Sequence, residues 1–598
     1  MLNASFTSVV DMFLHRVGST PDATAMWGKK NDAWYALTWS EVDEQVREIA
    51  CGLHALGIEA EQRASILSGT RPEWVAIDIG ILCAAGCTTT IYPSNTPDEC
   101  VYILNDSESQ FCFAENQEQV EKLLSVRDQL PHLKRVIVID GADEDDFQIS
   151  LTGLQALGKA WYEENPSQYE SRMQGVEASQ LATLIYTSGT TGPPKGVMLT
   201  HDNWVFESEA MDKLAVLQPE DKHYLFLPLA HAFAKVLEIG FIRLGVPTVV
   251  DGDIDNLVDN LMETRPTVMG AVPRIFEKAY NKVITGATEA GGAKLRIFNW
   301  SMEIGREVSA LRQQGKEPKG VLALQYKIAD KMVFSKLKAR FGGRIKYFVS
   351  GGAPLSKEIA EFFHAADILV LEGYGLTESS AASFVNRPRE YRFGTVGLPA
   401  PGVRVEIAED GEVLLGGRGI MKGYYNKEQA TAEALTEEGW LRTGDIGSIE
   451  DGFLRITDRK KDIIVTAGGK NIAPQNFENT LKASSKWVSQ VVMHGDKRAF
   501  CVALVSIDFE AVSAWAEKEG LSGKSYAELA SLPAVHDMVW TDVEQINTKR
   551  SSYERVKKIH LMSHEISQQS GELTPTLKVK RRVVESNAKE ILDGLYAE

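Results

Sequence analysis

The stretch IKYFVSGGAPLSKEIAEFFHAADILVLEGYGLTES, Ile345 to Ser379, decides the architecture. Ile345 to Ser350 has the short apolar and aromatic character of a buried strand. Gly351, Gly352, Ala353 and Pro354 then turn the chain. Ser356 is placed to cap a helix that carries Ile359, Phe362 and Phe363 on one face. Ile368 to Leu371 predicts a second strand, which runs into EGYGLTES. In a right-handed strand–helix–strand crossover both turns fall at the carboxyl ends of parallel strands, where open sheets bind ligands. Upstream, helices and apolar runs alternate to about residue 275, which favours a layered α/β architecture with mostly parallel strands. One such helix is predicted to start at Ser40, with Asp43 three residues on and Val42, Val46, Ile49 and Leu53 on its buried face.

A second string, YTSGTTGPPKGVMLTH (Tyr186 to His201), follows the apolar run Leu181–Tyr186. Thr187, Ser188, Gly189, Thr190, Thr191 and Gly192 are small or hydroxylated, and Lys195 follows. Such residues let a backbone wrap phosphate oxygens, and the lysine adds a point charge. A P-loop needs GxxxxGK followed by Ser or Thr. Five residues on from Gly189 stands Pro194, and Lys195 is followed by Gly196, so the spacing excludes a P-loop.

The chain has 598 residues, 44% hydrophobic and 24% charged, enough for more than one domain around a large core. A formal net charge of −18 argues against nucleic acid as a general partner. It also means that any nucleotide pocket must be made locally positive. Cys51, Cys83, Cys87, Cys100, Cys112 and Cys501 contain no CxxC pair, so buried free thiols are expected in place of zinc or disulfides. Met1 to Arg16 lacks a basic start and a long apolar core, and no run is long enough to span a bilayer, which points to a cytoplasmic protein.

Residues 285–342 begin rich in Gly and Ala and continue as basic helical pattern, as an inserted helical segment would. Within it Lys327, Lys331, Lys336, Lys338 and Arg340 accompany Ile328, Val333, Phe334 and Leu337. That face could dock peripherally on anionic membrane, on its inner side; a solvated helix face is the alternative. Asp458 to Asp462 are five consecutive charges that read as a solvated boundary. Beyond them Ala499–Ile507 reads as a strand and Phe509–Lys518 as a helix of a small α+β domain. The organisation expected is therefore residues 1–458, a hinge at 459–462, and a mobile lid at 463–598.

LPLAHAFAK (Leu227 to Lys235), VPRIFEK (Val272 to Lys278), GGAPLS, EGYGLTES, GWLRTGDIG (Gly439 to Gly447) and DRKKDIIVTAGGKNIAP (Asp458 to Pro474) complete the set of motifs. Taken in this order along nearly the whole chain, they resemble the adenylate-forming enzymes: acyl-CoA synthetases, luciferases and peptide-synthetase adenylation domains. VPRIFEK, the helical insertion and GGKNIAPQ are most similar to long-chain fatty acyl-CoA synthetases. The resemblance implies a fatty acid, ATP and coenzyme A as substrates and Mg2+ as cofactor. The acid would be activated as an acyl-adenylate before transfer to coenzyme A. A fatty acyl-AMP ligase serving a carrier protein, or a non-catalytic sensor on the same fold, are the alternatives.

The resemblance also implies roles. Thr187 to Lys195 would hold the β- and γ-phosphates, with Gly352, Ala353, Pro354, Glu372, Gly373, Tyr374 and Gly375 around the nucleotide. Tyr374 would stack on adenine, Thr377 would meet the α-phosphate, and Glu378 with Thr187 would ligate magnesium. Asp445 would bind both ribose hydroxyls, with Arg459 a further ribose contact. Lys578 would be the catalytic lysine, although Leu577 stands where the family commonly has Gly, and Lys580 is a rival. His231 would line the adenylate pocket, with Val236, Leu237, Ile239, Phe241 and Ile242 either lining an acyl tunnel or forming core. Lys461 would be the hinge residue, and Gly468, Gly469 and Lys470 would face the coenzyme A half-reaction.

Overall fold

The computed structural model describes residues 5–187, 193–467, 470–574 and 578–597. Ser188, Gly189, Thr190, Thr191 and Gly192, expected to hold phosphate, and Gly468 and Gly469, expected to face coenzyme A, lie outside them. Two large sheets dominate the chain up to Arg459, one of nine strands and one of eight, and a third sheet of four strands is antiparallel. Six neighbouring strands in each large sheet run parallel, with antiparallel strands confined to the edges. A three-stranded sheet and a two-stranded ribbon, both beyond Asp462, are built on two apolar clusters of their own.

The deciding stretch folds as read. Tyr347–Ser350 and Leu369–Tyr374 are parallel neighbours, with Ser350 opposite Glu372, and the helix Lys357–Ala365 joins them. The cap is different. Ser356 makes no bond to a backbone N–H of the helix; its hydroxyl donates to Glu358 Oε2 at 2.7 Å. The helix predicted from Ser40 likewise begins two residues earlier. Thr38 is its N-cap, and Thr38 and Glu41 exchange bonds in a capping box. Ser40 loses because Glu41, not Asp43, has the reach to return to the cap backbone. Val42, Val46, Ile49 and Leu53 are buried as their spacing requires.

The inserted segment is helical: Pro273–Ala290, Gly292–Arg312, Gly320–Ala329 and Ser335–Arg340, with a π turn at Asp330–Phe334. That turn changes the expected basic-apolar face. Phe334 is fully buried and Val333 and Leu337 are half-buried. A π turn inserts one residue per turn, so spacing carried across it slips to another face. The apolar residues left exposed are Val321, Leu324, Ile328 and Met332.

The charge run is also not uniformly solvated. Asp458 is buried and accepts the N–H groups of Arg459 at 2.7 Å and Gln475 at 3.1 Å; burial pushes it up to about 7. Lys460 pairs with Asp410 and Glu412, and Arg459 with Asp445. Only Lys461 of the four residues 458–461 stays exposed without an ion pair among the described residues. All six cysteines are buried free thiols. Among the described residues no helix is long and apolar enough to cross a membrane.

Candidate active site

The site collects where parallel strands end. Tyr347–Ser350 delivers the turn Gly351 to Pro354, in which Gly352 has φ of +82°, a conformation that favours glycine. Its neighbour delivers Glu372 to Gly375. The N–H of Leu355 donates to Glu372 Oε1 at 3.0 Å, so the first turn is tied to the second strand; burial pushes the Glu372 carboxyl up to about 8. At Gly375 a Cβ would lie 1.9 Å from the carbonyl oxygen of Ala381, so no side chain fits there.

That close approach folds the chain back over Thr377–Ser379, a single 3-10 turn that raises Glu378. Ser380 and Ala381 follow with φ of +57° and +84°, an unusual left-handed pair for residues with side chains. The pair is held down from outside: Ser380 Oγ donates to the Gly419 carbonyl at 2.7 Å, and the Met421 N–H to the Glu378 carbonyl at 2.9 Å. Thr377 is buried beneath. One oxygen of Glu378 accepts the Tyr424 hydroxyl at 2.8 Å, and the Tyr424 ring lies 4.7 Å from Lys195 Nζ. Lys195 in turn stands opposite Thr187 across adjacent antiparallel strands. Thr187, Lys195 and Glu378 are therefore linked through Tyr424, a residue without any spacing signal in the sequence. The second Glu378 oxygen accepts no hydrogen bond among the described residues. A free carboxylate oxygen and a threonine hydroxyl are hard donors that fit a phosphate-bound Mg2+.

On the other side Tyr374 Oη donates to Asp445 Oδ2 at 2.6 Å, and Arg459 Nε lies 3.4 Å from Asp445 Oδ1. Asp445 is 4% exposed, and burial holds its carboxyl above the usual range against the pull of Arg459. Asp445 and Arg459 are paired across adjacent antiparallel strands, Leu441–Glu450 and Phe453–Arg459, so their spacing is set by the ladder.

Lys578 reaches this cluster from the far end of the chain. Its own N–H donates to Thr574 Oγ at 3.0 Å. Burial, then the Arg459 guanidinium, push its ammonium down to about 8, while Asp445 and Glu378 pull it back up. Lys580, the rival, stands at the start of the helix Arg581–Asn587, its N–H bonded to the Glu572 carbonyl. Arg581 does not enter the site. It donates to Glu478 Oε1 at 2.5 Å and to the Met493 carbonyl at 2.7 Å, tying the lysine loop to its own sheet.

His231 caps the helix Ala232–Leu244, its Nδ1 accepting the Phe233 N–H at 3.1 Å. Burial, then Lys578, push it down to about 3, so the ring is neutral at physiological pH. The apolar residues that follow, Val236, Leu237, Ile239, Phe241 and Ile242, are all buried in the main core. Phe241 packs on Trp39, Leu237 lies against Gly270, where an added Cβ would meet it at 2.5 Å, and Phe233 covers Gly351. Lys235 is buried with Asp78 and Glu238, bonded to the first and 3.1 Å from the second. Lys461 is exposed beside Arg459, and Lys470 lies 5.9 Å from the Tyr553 ring, away from the cluster.

The sequence profile of the AMP-binding enzymes matches residues 13–425, and that of the AMP-binding enzyme C-terminal domain matches residues 461–598. The long-chain-fatty-acid–CoA ligase FadD15 of Mycobacterium bovis is 36% identical over 593 residues, covering 98% of this chain and 97% of the relative. The human long-chain-fatty-acid–CoA ligase ACSBG2 is 32% identical, covering 98% and 91%. Among solved structures, the adenylation domain of a carboxylate reductase from Mycobacterium chelonae superimposes with a TM-score of 0.73 at 19% identity, covering 100% of this chain and 92% of that one. An anthranilate CoA ligase in complex with anthranoyl-AMP gives 0.73 at 18%, covering 99% of both.

Proposed function

Because the chain belongs to the AMP-binding enzymes, we propose that it activates a long-chain fatty acid with ATP and transfers the acyl group to coenzyme A. The acid's carboxylate oxygen attacks the α-phosphorus of ATP, forming an acyl-adenylate and releasing pyrophosphate. The thiol sulfur of coenzyme A, losing its proton, then attacks the acyl carbon and AMP leaves. The observation that supports this reading is the convergence of Lys578 and Arg459 with Asp445, Glu378 and Tyr374 at the strand ends.

The first step brings two anions together. Unit charges about 4 Å apart repel by about 4 kcal/mol at an effective dielectric of about 20, and each ~1.4 kcal/mol is about tenfold in rate. Lys578 is the cation for this task, neutralising carboxylate and α-phosphate as charge shifts between them. Asp445 takes the ribose hydroxyls, Tyr374 lies along adenine, and Thr377 donates to the α-phosphate. The loop from Thr187 to Lys195 takes the leaving pyrophosphate. Glu378 and Thr187 would hold Mg2+, which when bound neutralises phosphate charge. Neutral His231 shapes the pocket and transfers no proton. Phe233, Leu237 and Gly351 border the acyl end.

Coenzyme A cannot approach while Lys578 fills the site. Residues 1–458 stay still and 463–598 turn about 459–462, with Lys461 the residue whose backbone changes and Lys470 moving to the thiol side. A lipid-soluble substrate also favours a peripheral contact with the bilayer. Val321, Leu324, Ile328 and Met332 are 72%, 60%, 44% and 40% exposed along one helical stretch. Lys327 and Lys331 beside them are exposed and make no ion pair among the described residues. In a chain of net charge −18, that cationic rim complements anionic lipid at about 1 kcal/mol per lysine.

The test is ATP–pyrophosphate exchange with fatty acids of graded length, repeated with coenzyme A. Exchange with long-chain acids and coenzyme A-dependent AMP release are expected. Exchange without that release would move the acyl acceptor to a carrier protein, and no exchange at all would overturn the reading.

A further inference from the structure

Among the described residues, no hydrogen bond or ion pair joins the helix Pro273–Ala290, which opens with the PRIFEK residues, to the nucleotide cluster described above. Its first turn faces the C-terminal body. Arg274 Nη2 donates to Ser489 Oγ at 3.0 Å and Nη1 to the Ser489 carbonyl at 3.3 Å. One turn on, Glu277 lies 3.6 Å from Arg274 and 3.7 Å from Lys482 Nζ. Its carboxylate side chain is only 8% exposed. At the other end of the helix Glu289 pairs with Lys518 at 2.7 Å, a contact open to solvent and correspondingly weak.

Ser489 is prepared for this contact. The strand Val488–His494 pairs with Cys501–Ile507, but the register slips between Val488 and Gln490. Ser489 therefore sits at an irregularity in the ladder, the kind of place where a strand re-aims a residue away from its pairing. Its carbonyl and hydroxyl are both turned to one guanidinium. Ser489 is 3% exposed, so these bonds are made out of water. Two elements of the C-terminal body, the helix Pro474–Ser484 through Lys482 and the strand through Ser489, thus meet one ionic pair on the large body.

We propose that Arg274 and Glu277 are positioning residues: through Ser489 and Lys482 they clamp the C-terminal body in the arrangement that presents Lys578. This rests on the reading of Lys578 as the adenylation cation. The clamp joins parts that separate when the lid turns, so it acts on the first half-reaction and is open during the second. Glu277 keeps Arg274 as its partner after release, so the acid is never left as an uncompensated buried charge.

The experiment uses full-length protein and assays the two half-reactions separately, pyrophosphate exchange and thioester formation from supplied acyl-adenylate. Arg274→Ala should lower kcat for exchange about tenfold, the scale of a charged hydrogen bond, with the fatty acid KM unchanged. Thioester formation should be undiminished. Arg274→Lys should recover part of the loss, and Lys482→Glu, which leaves Arg274 in place, should lower exchange in the same selective way. Equal loss in both assays, or a raised fatty acid KM at unchanged kcat, overturns the clamp. Lys578→Ala separates the two ideas. If it fails to split the half-reactions, the reading of the lysine falls; if it splits them and Arg274→Ala does not, only the clamp falls.

Discussion

Tyr424 donates its hydroxyl to Glu378 at 2.8 Å while its ring faces Lys195 Nζ at 4.7 Å, so one side chain contacts both the acid and the cation of the proposed phosphate end. Tyr424→Phe keeps the ring and removes only the donor. A hydrogen bond to a charged group contributes about 1.5–3 kcal/mol. The expected outcome is a roughly tenfold or greater fall in kcat/KM for ATP in the exchange assay, with a higher Mg2+ requirement. An unchanged Mg2+ titration would remove Tyr424 from any role in setting Glu378.

Lys578→Ala should abolish pyrophosphate exchange and leave thioester formation from supplied acyl-adenylate intact. Lys580→Ala should spare both, because that position begins a helix outside the cluster. Exchange lost in the Lys580 variant and kept in the Lys578 variant would reverse the assignment.

The pH profile follows from the same lysine. Burial and Arg459 bring it from its ordinary 10.5 down to about 8. With Lys578 read as the adenylation cation, the charged form is the working one, present below about 8 and lost as pH rises through that value. kcat/KM for exchange should show an alkaline limb near there, reporting the free enzyme. The limb in kcat should lie higher, because bound phosphates favour the charged ammonium. A profile flat to pH 10 would be incompatible with a site-bound Lys578.

Lys235, Asp78 and Glu238 form an ionic group at 0–1% exposure one turn beyond His231. Burial and the neighbouring Asp78 push Glu238 up to about 8, so Lys235 balances the Asp78 carboxylate, and removing only the cation leaves that buried acid uncompensated, a loss of about 3–5 kcal/mol. Lys235→Met should therefore lower stability by that order in chemical denaturation. Replacing Asp78 and Glu238 by Leu in the same chain should restore much of it, since an apolar group of similar volume replaces a buried ionic one at little cost. Full stability in the single variant would mean the three groups are not coupled.

Leu324→Glu with Ile328→Glu should stop co-sedimentation with vesicles containing phosphatidylglycerol at low salt, leaving exchange on soluble acids unchanged. Wild-type protein that stays in the supernatant with such vesicles would reject the lipid contact.

Much of the site is legible in the sequence because its residues sit in short runs at strand ends, where local pattern and position coincide. Tyr374, Thr377 and Glu378 all lie within the stretch that also fixes the parallel pair. What is not legible comes from contacts between distant segments. Tyr424 meets Glu378 across 46 residues, and Arg274 meets Ser489 across 215; neither pair leaves a period or a spacing to read. Local competition accounts for other differences. Thr38 outdoes Ser40 because a glutamate stands three residues after it, and a π turn at Asp330–Phe334 shifts a face that uniform helical spacing would have left exposed.

The ladder rung that joins Asp445 to Arg459 is the last before the exposed Lys461. For a rotation centred on that lysine, everything downstream swings and the rung stays. The sugar of the nucleotide would then rest on the stationary side through both chemical events, like a workpiece in a vice while the tool is changed. AMP would consequently be the product least free to depart early, and a rise in AMP inhibition at saturating coenzyme A is the kinetic trace such an arrangement leaves.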